Sequence, residues 1–524
     1  MSNSVFCFLF VLITVIVCFF SWTMTDSWID VNLISSYNWN WLACLSLDYV
    51  VLFVSLMLVV CFIYVLYYTG HYFNGGEGVI SLTQMICLFV GVMFLLTCTS
   101  DILSTLIFWE YLGVVSFFLI LFYGSYLSLR SSIVTLVSSR FGDVSLFILI
   151  ACSYFLFDSI FISAFLFFFI IFTKSAGFPF ISWLLEAMRA PTPVSSLVHS
   201  STLVAAGVWF SMRYNLLEFF SNIFYFNIFL VTTIFISGTC CFFFNDLKKI
   251  VALSTCNNIS WCVLYLILGD VSLSLFQLAS HGVAKCILFT LVGDVMSGSG
   301  GSQASNCIYS PYFYGNWGVF TIFAVVLGLS GAPFIGVFFT KHIMLTTFNS
   351  VWNLFFLVVI MMCVFLSYFY SFRLCSVILN TKSSSPVGVF FCFDSWMVSY
   401  SWLFINFFMG GIIVEYYKLS IFNSLILIVF QVISCLIAIF AYHNNSFSSW
   451  SSTLFGCDSI VELFYHFVHQ LVNALTLFIY RWDNYAIYLF SGIGSSIINI
   501  HKEEILNLLI YSIFFFLVWF VILY

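Results

Sequence analysis

Long apolar runs follow one another along almost the whole chain, and only short polar segments interrupt them. Runs of about 18 residues or more are typical of transmembrane helices. Fifteen spans are predicted in this way, at 5–22, 47–69, 80–99, 101–123, 132–157, 158–180, 192–214, 222–244, 247–268, 271–294, 315–340, 350–380, 398–417, 421–441 and 505–524. Backbone facing lipid must satisfy its own hydrogen bonds, and the runs are too long for barrel strands. We therefore expect an all-α polytopic membrane protein.

Composition agrees with this pattern. The chain is 63% hydrophobic and 6% charged, with a formal net charge of −6, and this small charge gives no sign of a nucleic-acid surface. The first residues show neither a basic segment with a small-residue cleavage site nor an Arg-rich transit segment, so no cleaved leader is expected. The 69 phenylalanines favour an organelle-encoded gene of T-rich composition.

The 18 cysteines contain no C-x-x-C spacing, so we interpret them as small buried hydrophobes. The glycine cluster at Gly298–Gly301 lacks the lysine and the strand–helix context of a phosphate loop. No metal or redox cofactor is expected on this chain.

Three lysines, Lys174, Lys285 and Lys341, lie in or against apolar runs of a chain with only 14 basic residues. A charge near the bilayer centre costs about 2.5–3.5 kcal/mol, so such residues usually mark ion or proton paths. Burial favours the neutral amine and a nearby carboxylate favours the ammonium, so moving the carboxylate switches the lysine. Glu110, alone in its run, is one such carboxylate; alternatively it is a helix-end residue, since Asp101 is nearby.

Two histidines extend this set. His281 and Lys285 are four residues apart and share a helical face, which suits a relay of groups whose titrations are coupled. His199 is either part of the relay or an ordinary hydrogen-bonded interior histidine.

Two further charged groups have two interpretations each. Arg140 and Asp143 flank Gly142 at the start of a predicted span, and they are either functional or an interfacial pair. Lys248 and Lys249 follow Asp246, and they belong to the relay or anchor the helix at the membrane surface.

Prolines predict interruptions of the helices. Pro179, Pro191 and Pro193 fall in one stretch after Lys174, and Pro333 precedes Lys341. Both breaks read Gly-x-Pro-Phe-Ile, and five predicted spans separate them. An odd number of spans gives the two halves opposite orientations, so we expect two inverted five-helix repeats with broken helices. The alternative is two unrelated proline-containing loops.

We expect six regions along the chain. Near the C-terminus, Glu462, His466, His469 and Asn473 recur at helical spacing among apolar residues, which predicts an amphipathic helix lying in the membrane interface. The alternative there is a weakly apolar transmembrane helix. The regions are N-terminal helices (1–100), two repeats (101–244 and 245–397), additional spans (398–455), a lateral amphipathic helix (456–504) and an anchoring helix (505–524).

The stretch KSAGFPFISWLLEAMRAPTPVSSLVHSSTLVAAGVW, at 174–209, carries a family resemblance. It is supported by the segments at 70–78, 108–113, 139–143, 246–255, 280–285 and 331–341. With them, the chain resembles the antiporter-like membrane subunits of respiratory complex I (NADH–ubiquinone oxidoreductase), the chain 5 group in particular, and more broadly the Mrp-type sodium–proton antiporter subunits.

The resemblance implies a proton relay. Lys174 pairs with the intramembrane Glu110, His199 bridges to the centre, and Lys341 stands at the outlet. The central members are Lys248, His281 and Lys285, and the accessory residues are Arg140, Asp143 and His342.

The resemblance also implies partners and a location. NADH, FMN, iron–sulfur clusters and ubiquinone are expected on other subunits. The partners are membrane-arm subunits of complex I, especially the neighbouring antiporter-like chain, in the mitochondrial inner membrane.

Some features depart from the family pattern. His342 follows Lys341 where an acidic residue is usual, and Gln277 stands where many members have a histidine. Only one span precedes Asp48, where two are usual, and 456–500 is short for the lateral helix. Two other functions stay open, a stand-alone cation–proton antiporter and a mainly structural subunit with a decayed relay.

Overall fold

The structure is a computed structural model. It describes residues 27–36, 39–73, 76, 78–151, 160–214, 224–307, 309–311, 315–333, 335–348, 354–379, 382–384, 398–407, 420–441, 454, 457–491, 507–513 and 515. The predicted span at 5–22 lies outside these residues, as do residues 408–417 and most of 505–524. Eleven helices in the described part are long and apolar enough to cross a membrane, which confirms the all-helical polytopic fold.

The first half of the bundle contains seven principal helices. They are α1 (Tyr49–Tyr72), α2 (Gly78–Cys98), α3 (Ile102–Leu121), α4 (Tyr126–Ala151), α5 (Ile160–Lys174), the short α6 (Ser182–Glu186) and α7 (Thr192–Tyr214). A π-helical turn, Val198–Thr202, interrupts α7. Ahead of α1, two antiparallel strands that the apolar pattern did not predict, Ser27–Ser36 and Trp39–Leu47, form a hairpin.

The remaining helices continue in chain order. They are α8 (Phe224–Phe243), α9 (Leu247–Ile267), α10 (Val271–Gly298), α11 (Gly315–Ser330), α12 (Val337–Phe348), α13 (Leu354–Leu379), α14 (398–407), α15 (Ile421–Ala441) and α16 (Cys457–Phe490). A short parallel pair joins Tyr309–Pro311 to Lys382–Ser384. The chain forms two compact units, 1–458 and 459–524.

Two predicted spans are interrupted where the prolines indicated. The span at 158–180 ends as a helix at Lys174, and Pro179 lies in the turns before α6. Pro191 caps the start of α7, and Pro193 lies in its first turn. The span at 315–340 is two helices, since α11 ends at Ser330 and Pro333 lies in the turn before α12.

Gly331 allows the second break to close tightly. Its φ is +84°, and a Cβ at this position would lie 2.8 Å from the backbone nitrogen of Phe338. Only glycine adopts this conformation without strain. Five long helices, α7 to α11, separate the two breaks, which is the spacing expected of an inverted repeat.

The second unit contains α16, a helix of 34 residues that covers most of the predicted amphipathic segment. Its Tyr465 and His469 rings stack with centroids 6.0 Å apart. The lateral placement of this helix stays a prediction.

Close packing of α4 on α5 generates a first prediction. A Cβ at Gly142 would clash with the Thr173 hydroxyl and lie 3.1 Å from Thr173 Cβ. Overpacking of this kind costs about 1–3 kcal/mol. We expect Gly142→Ala to lower the thermal denaturation midpoint in mild detergent, and Thr173→Ala to restore it in part.

Gly91→Ala is the matched control, because a Cβ there meets nothing within 4 Å. Equal midpoints for the Gly142 and Gly91 variants would contradict the close approach of these two helices.

Candidate functional site

Lys174 is the last residue of α5 and lies where the helix breaks. Its side chain is fully buried, and its Nζ lies 3.6 Å from Oδ1 of Asp143 on α4. The ammonium also stands over the Trp109 ring, 5.2 Å from its centroid. At the point where α5 ends, one cation is thus held by a carboxylate and an aromatic face.

Arg140 connects this pair to Glu110. Its Nη1 donates to Oε2 of Glu110 and lies 3.7 Å from Oδ2 of Asp143. The structure pairs Glu110 with Arg140 and Lys174 with Asp143, rather than Lys174 with Glu110. The reason is the register of α4, which begins at Tyr126 and carries Arg140 and Asp143 at mid-helix. The two members of this pair differ in burial, since Asp143 is buried and the Arg140 side chain is about 43% exposed.

A small cavity of about 10 Å³ joins Lys174 to His199. Polar groups from Ser139, Thr173 and the Trp183 side chain help to line it. A space of this size holds about one water molecule. His199 itself lies in the π turn of α7, fully buried against the backbone of Ala187.

The two interpretations of this segment apply to different lysines, one to Lys249 and the other to Lys248. Lys249 pairs with Asp246 at 3.3 Å, and both side chains are more than a third exposed, as expected of an interfacial anchor. Lys248 is buried, with its Nζ 3.4 Å from the carbonyl oxygen of Ala190, and its helix packs against the π turn that carries His199. Only Lys248 therefore joins the interior set.

His281 and Lys285 share one face of α10, as their spacing predicted, and both are buried. Lys285 Nζ donates to the Ser254 hydroxyl and lies 3.4 Å from the Val251 carbonyl oxygen. Lys248 lies on α9, and Val251, which Lys285 contacts, is three residues further along the same helix. The two lysines are therefore about one turn apart along α9. Both imidazole nitrogens of His281 are buried without a protein hydrogen-bond partner among the described residues.

A second cavity, of about 20 Å³, leads from Lys285 to Ser330 at the end of α11. The carbonyl oxygen of Ser330 accepts a hydrogen bond from Lys341 Nζ at 2.8 Å. Lys341 also donates to the Ser367 hydroxyl at 2.7 Å and lies 3.9 Å from the Tyr368 ring centroid. The cavity therefore separates Lys285 from the group that holds Lys341.

The two departures from the family pattern have defined contacts. Gln277 accepts a hydrogen bond from the Thr340 hydroxyl at 2.9 Å, which connects α10 to the residue before Lys341. His342 is buried, and its Nε2 lies 2.9 Å from the Ser420 carbonyl oxygen. Each of these side chains therefore has a neutral hydrogen-bonding partner.

Ser254, Ser330, Ser367 and Tyr368 are site residues that sequence reasoning missed. Each stands in an apolar helix beside a buried lysine, yet serine and tyrosine are too common in this chain for a signal.

The two halves of the site differ in charge. Around Lys174 there are two carboxylates and a guanidinium, whereas Lys285 and Lys341 have no carboxylate oxygen within 4 Å in the described part of the chain. Hydroxyl and carbonyl oxygens accept hydrogen bonds from an ammonium and from a neutral amine alike. The arrangement suits proton transfer between groups that exchange charge by small movements.

Comparison with known proteins fits this architecture. Residues 99–368 match the family described as NADH:quinone oxidoreductase/Mrp antiporter, TM. NADH-ubiquinone oxidoreductase chain 5 of Ascaris suum is 37% identical over 361 residues, 66% of this chain and 64% of that one. The Caenorhabditis elegans protein of the same name is 36% identical over 336 residues, 62% of this chain and 63% of its own. The chain thus matches less than two thirds of these relatives' lengths.

Longer coverage comes from an insect relative and from solved structures. The chain 5 protein of Aedes aegypti is 30% identical over 409 residues, 74% of this chain and 68% of its own. A Mrp complex from Dietzia sp. has the same fold, with a TM-score of 0.72 at 18% identity, covering 92% of this chain and 59% of that one. The chain therefore belongs to the NADH:quinone oxidoreductase/Mrp antiporter transmembrane family.

Proposed function

We propose that this chain is a proton-translocating membrane-arm subunit of NADH:ubiquinone oxidoreductase in the mitochondrial inner membrane. Redox chemistry on other subunits, which carry NADH, FMN, iron–sulfur clusters and ubiquinone, drives protons through it. Its partners are the other membrane-arm chains, especially the neighbouring antiporter-like one. The relatives are named for that oxidoreductase, which supports the assignment.

The continuity of the buried polar chain carries this proposal. It begins at the partly exposed Glu110 and Arg140 and the buried Asp143, and ion pairs connect these residues to Lys174. One water-sized cavity connects Lys174 to His199, and a second one, with the Ser330 carbonyl oxygen, connects Lys285 to Lys341. The members between lie on α9 and α10, which both pack against the π turn of His199. The later members are Lys174, His199, Lys248, His281, Lys285 and Lys341. The surroundings of these side chains are apolar, so few groups other than the relay residues can carry charge along the path.

Arg140 gives the relay a switch. It lies between Glu110 and Asp143, so a small movement toward Asp143 adds a second cation beside that carboxylate. Asp143 then holds Lys174 less tightly, and burial favours release of the lysine proton toward the cavity and His199. Return of Arg140 to Glu110 restores the ammonium. An event at Glu110 is thereby coupled to proton movement at Lys174.

Native gel electrophoresis of mildly solubilised membranes separates this function from its alternative. We expect the chain in the large band that oxidises NADH, identified by mass spectrometry. Migration alone or in a small inactive complex would instead favour a stand-alone cation–proton antiporter, with sodium–proton exchange in vesicles as the next assay.

Replacing Lys174 or Glu110 tests the relay directly. We expect Lys174→Ala and Glu110→Ala to lower the protons pumped per NADH, with the flux through this chain falling about tenfold or more, since positioned acid–base groups contribute roughly 10²–10⁴-fold. The measurement is proton uptake by vesicles containing equal amounts of assembled complex. Lys249→Ala is the control, because its side chain is more than a third exposed and contacts Asp246 and the Phe244 ring rather than a relay residue. Normal stoichiometry in both variants would refute the assignment.

The hydroxyl beside Lys341 generates a finer prediction. Ser367→Ala removes one of the two oxygen acceptors of the amine, and a hydrogen bond to a charged group contributes about 1.5–3 kcal/mol. We expect the pumping rate to fall, though less than in Lys341→Met. Ser376→Ala, on the same helix, is matched because that hydroxyl donates to the Arg373 carbonyl oxygen. Equal rates for the two serine variants would show that Lys341 does not depend on Ser367.

A further inference from the structure

A second polar group lies at the end of α1, outside the relay described above. His71 is in the last turn of α1, and its side chain is about 25% exposed. Its Nδ1 lies 3.9 Å from Oδ1 of Asp294, near the end of α10, whose side chain is buried. The pair therefore joins an exposed imidazole to a carboxylate inside the bundle, at the ends of two membrane-spanning helices.

Hydroxyl groups continue inward from Asp294. The Tyr68 and Thr192 hydroxyls come together beside Gly293, the residue that precedes Asp294. Gly293 makes room for them, since a Cβ there would press on the Tyr68 hydroxyl and lie 3.4 Å from Thr192 Oγ1. Tyr68 and Thr192 are both buried.

The inner end of this path reaches the relay. Thr192 opens α7, two residues after Ala190, whose carbonyl oxygen lies 3.4 Å from Lys248 Nζ. The helix of Lys248, α9, packs against the π turn that carries His199. A partly exposed histidine, a buried carboxylate and two buried hydroxyls thus lead toward the start of α7, where the Ala190 carbonyl oxygen contacts Lys248.

We propose that His71 and Asp294 are the surface proton-exchange group of the relay, and that Tyr68 and Thr192 conduct between them and Lys248. This proposal rests on the proposed function. Neutral His71 takes a proton from the aqueous phase and gives it to the Asp294 carboxylate. Each hydroxyl then accepts a proton on its oxygen and releases its own, and a water molecule carries the proton from Thr192 to the neutral amine of Lys248, which becomes an ammonium. The same steps run in reverse for release.

The test uses His71→Ala and Asp294→Asn in the full chain within the assembled complex. We expect each to lower proton uptake per NADH through this chain by about tenfold or more, with unchanged amounts of complex on native gels. Asp270→Asn is the control for the acid, because Asp270 caps the opposite end of α10. His469→Ala, on α16, is the control for the histidine.

Added imidazole distinguishes proton exchange from a structural role. Because His71 is partly exposed, imidazole in the medium is expected to restore uptake in His71→Ala, relative to wild type at the same concentration. It is not expected to restore Asp294→Asn, whose missing group is buried. Loss of uptake without imidazole rescue in His71→Ala would overturn the exchange role, and this readout stands even if Asp294→Asn fails to assemble.

The two proposals fail separately. If Lys174→Ala stops pumping while His71→Ala and Asp294→Asn leave it unchanged, the relay stands and the His71 route is wrong. Lys248 would then exchange protons directly at the start of α9, where Asp246 and Lys249 are exposed. If Lys174→Ala pumps normally, the relay itself is wrong.

Discussion

The buried contact between Lys174 and Asp143 is the interaction on which the site depends. Removing one partner of such a pair costs about 3–5 kcal/mol, because the other charge stays in a medium of low dielectric. The fold meets this requirement with three local features. α5 ends at Lys174, Gly142 brings α4 close to α5, and Arg140 with Glu110 balances the second charge. The first and third features place a charge beside a neighbour that compensates it, and the second lets the two helices approach closely. The register of α4 determines which carboxylate lies beside which cation.

Both halves of the bundle contain a broken helix, but the groups around the two breaks differ in chemistry. In the first half a lysine precedes the break and faces acids, while in the second Lys341 follows the break and faces a carbonyl oxygen, a hydroxyl and a ring. The lysine of the first half is thus held by charged groups, and the lysine of the second half by neutral hydrogen-bonding groups. His342 and Gln277, bound to Ser420 and Thr340, belong to this neutral environment.

Sequence reasoning predicted the helices, both breaks and the buried lysines, because apolar run length, proline and isolated charge are local signals. It did not predict the contacts of Glu110 with Arg140 and of Lys174 with Asp143, since pairing depends on the register of α4 against α3 and α5. The hairpin before α1 was missed because its residues mix polar and aromatic types. Asp294 could have been found, as it is an isolated acid in an apolar run by the criterion that selected Glu110. Its exposed partner, His71, is distant in sequence and required the structure.

The most direct test of the account is the number of protons pumped per NADH oxidised by vesicles that carry Asp143→Asn. Asparagine keeps the shape of the side chain and removes the charge that holds Lys174. With equal amounts of assembled complex on a native gel, the account predicts fewer protons per NADH than in wild type and in Asp101→Asn. An unchanged ratio would show that the buried pair has no part in moving protons.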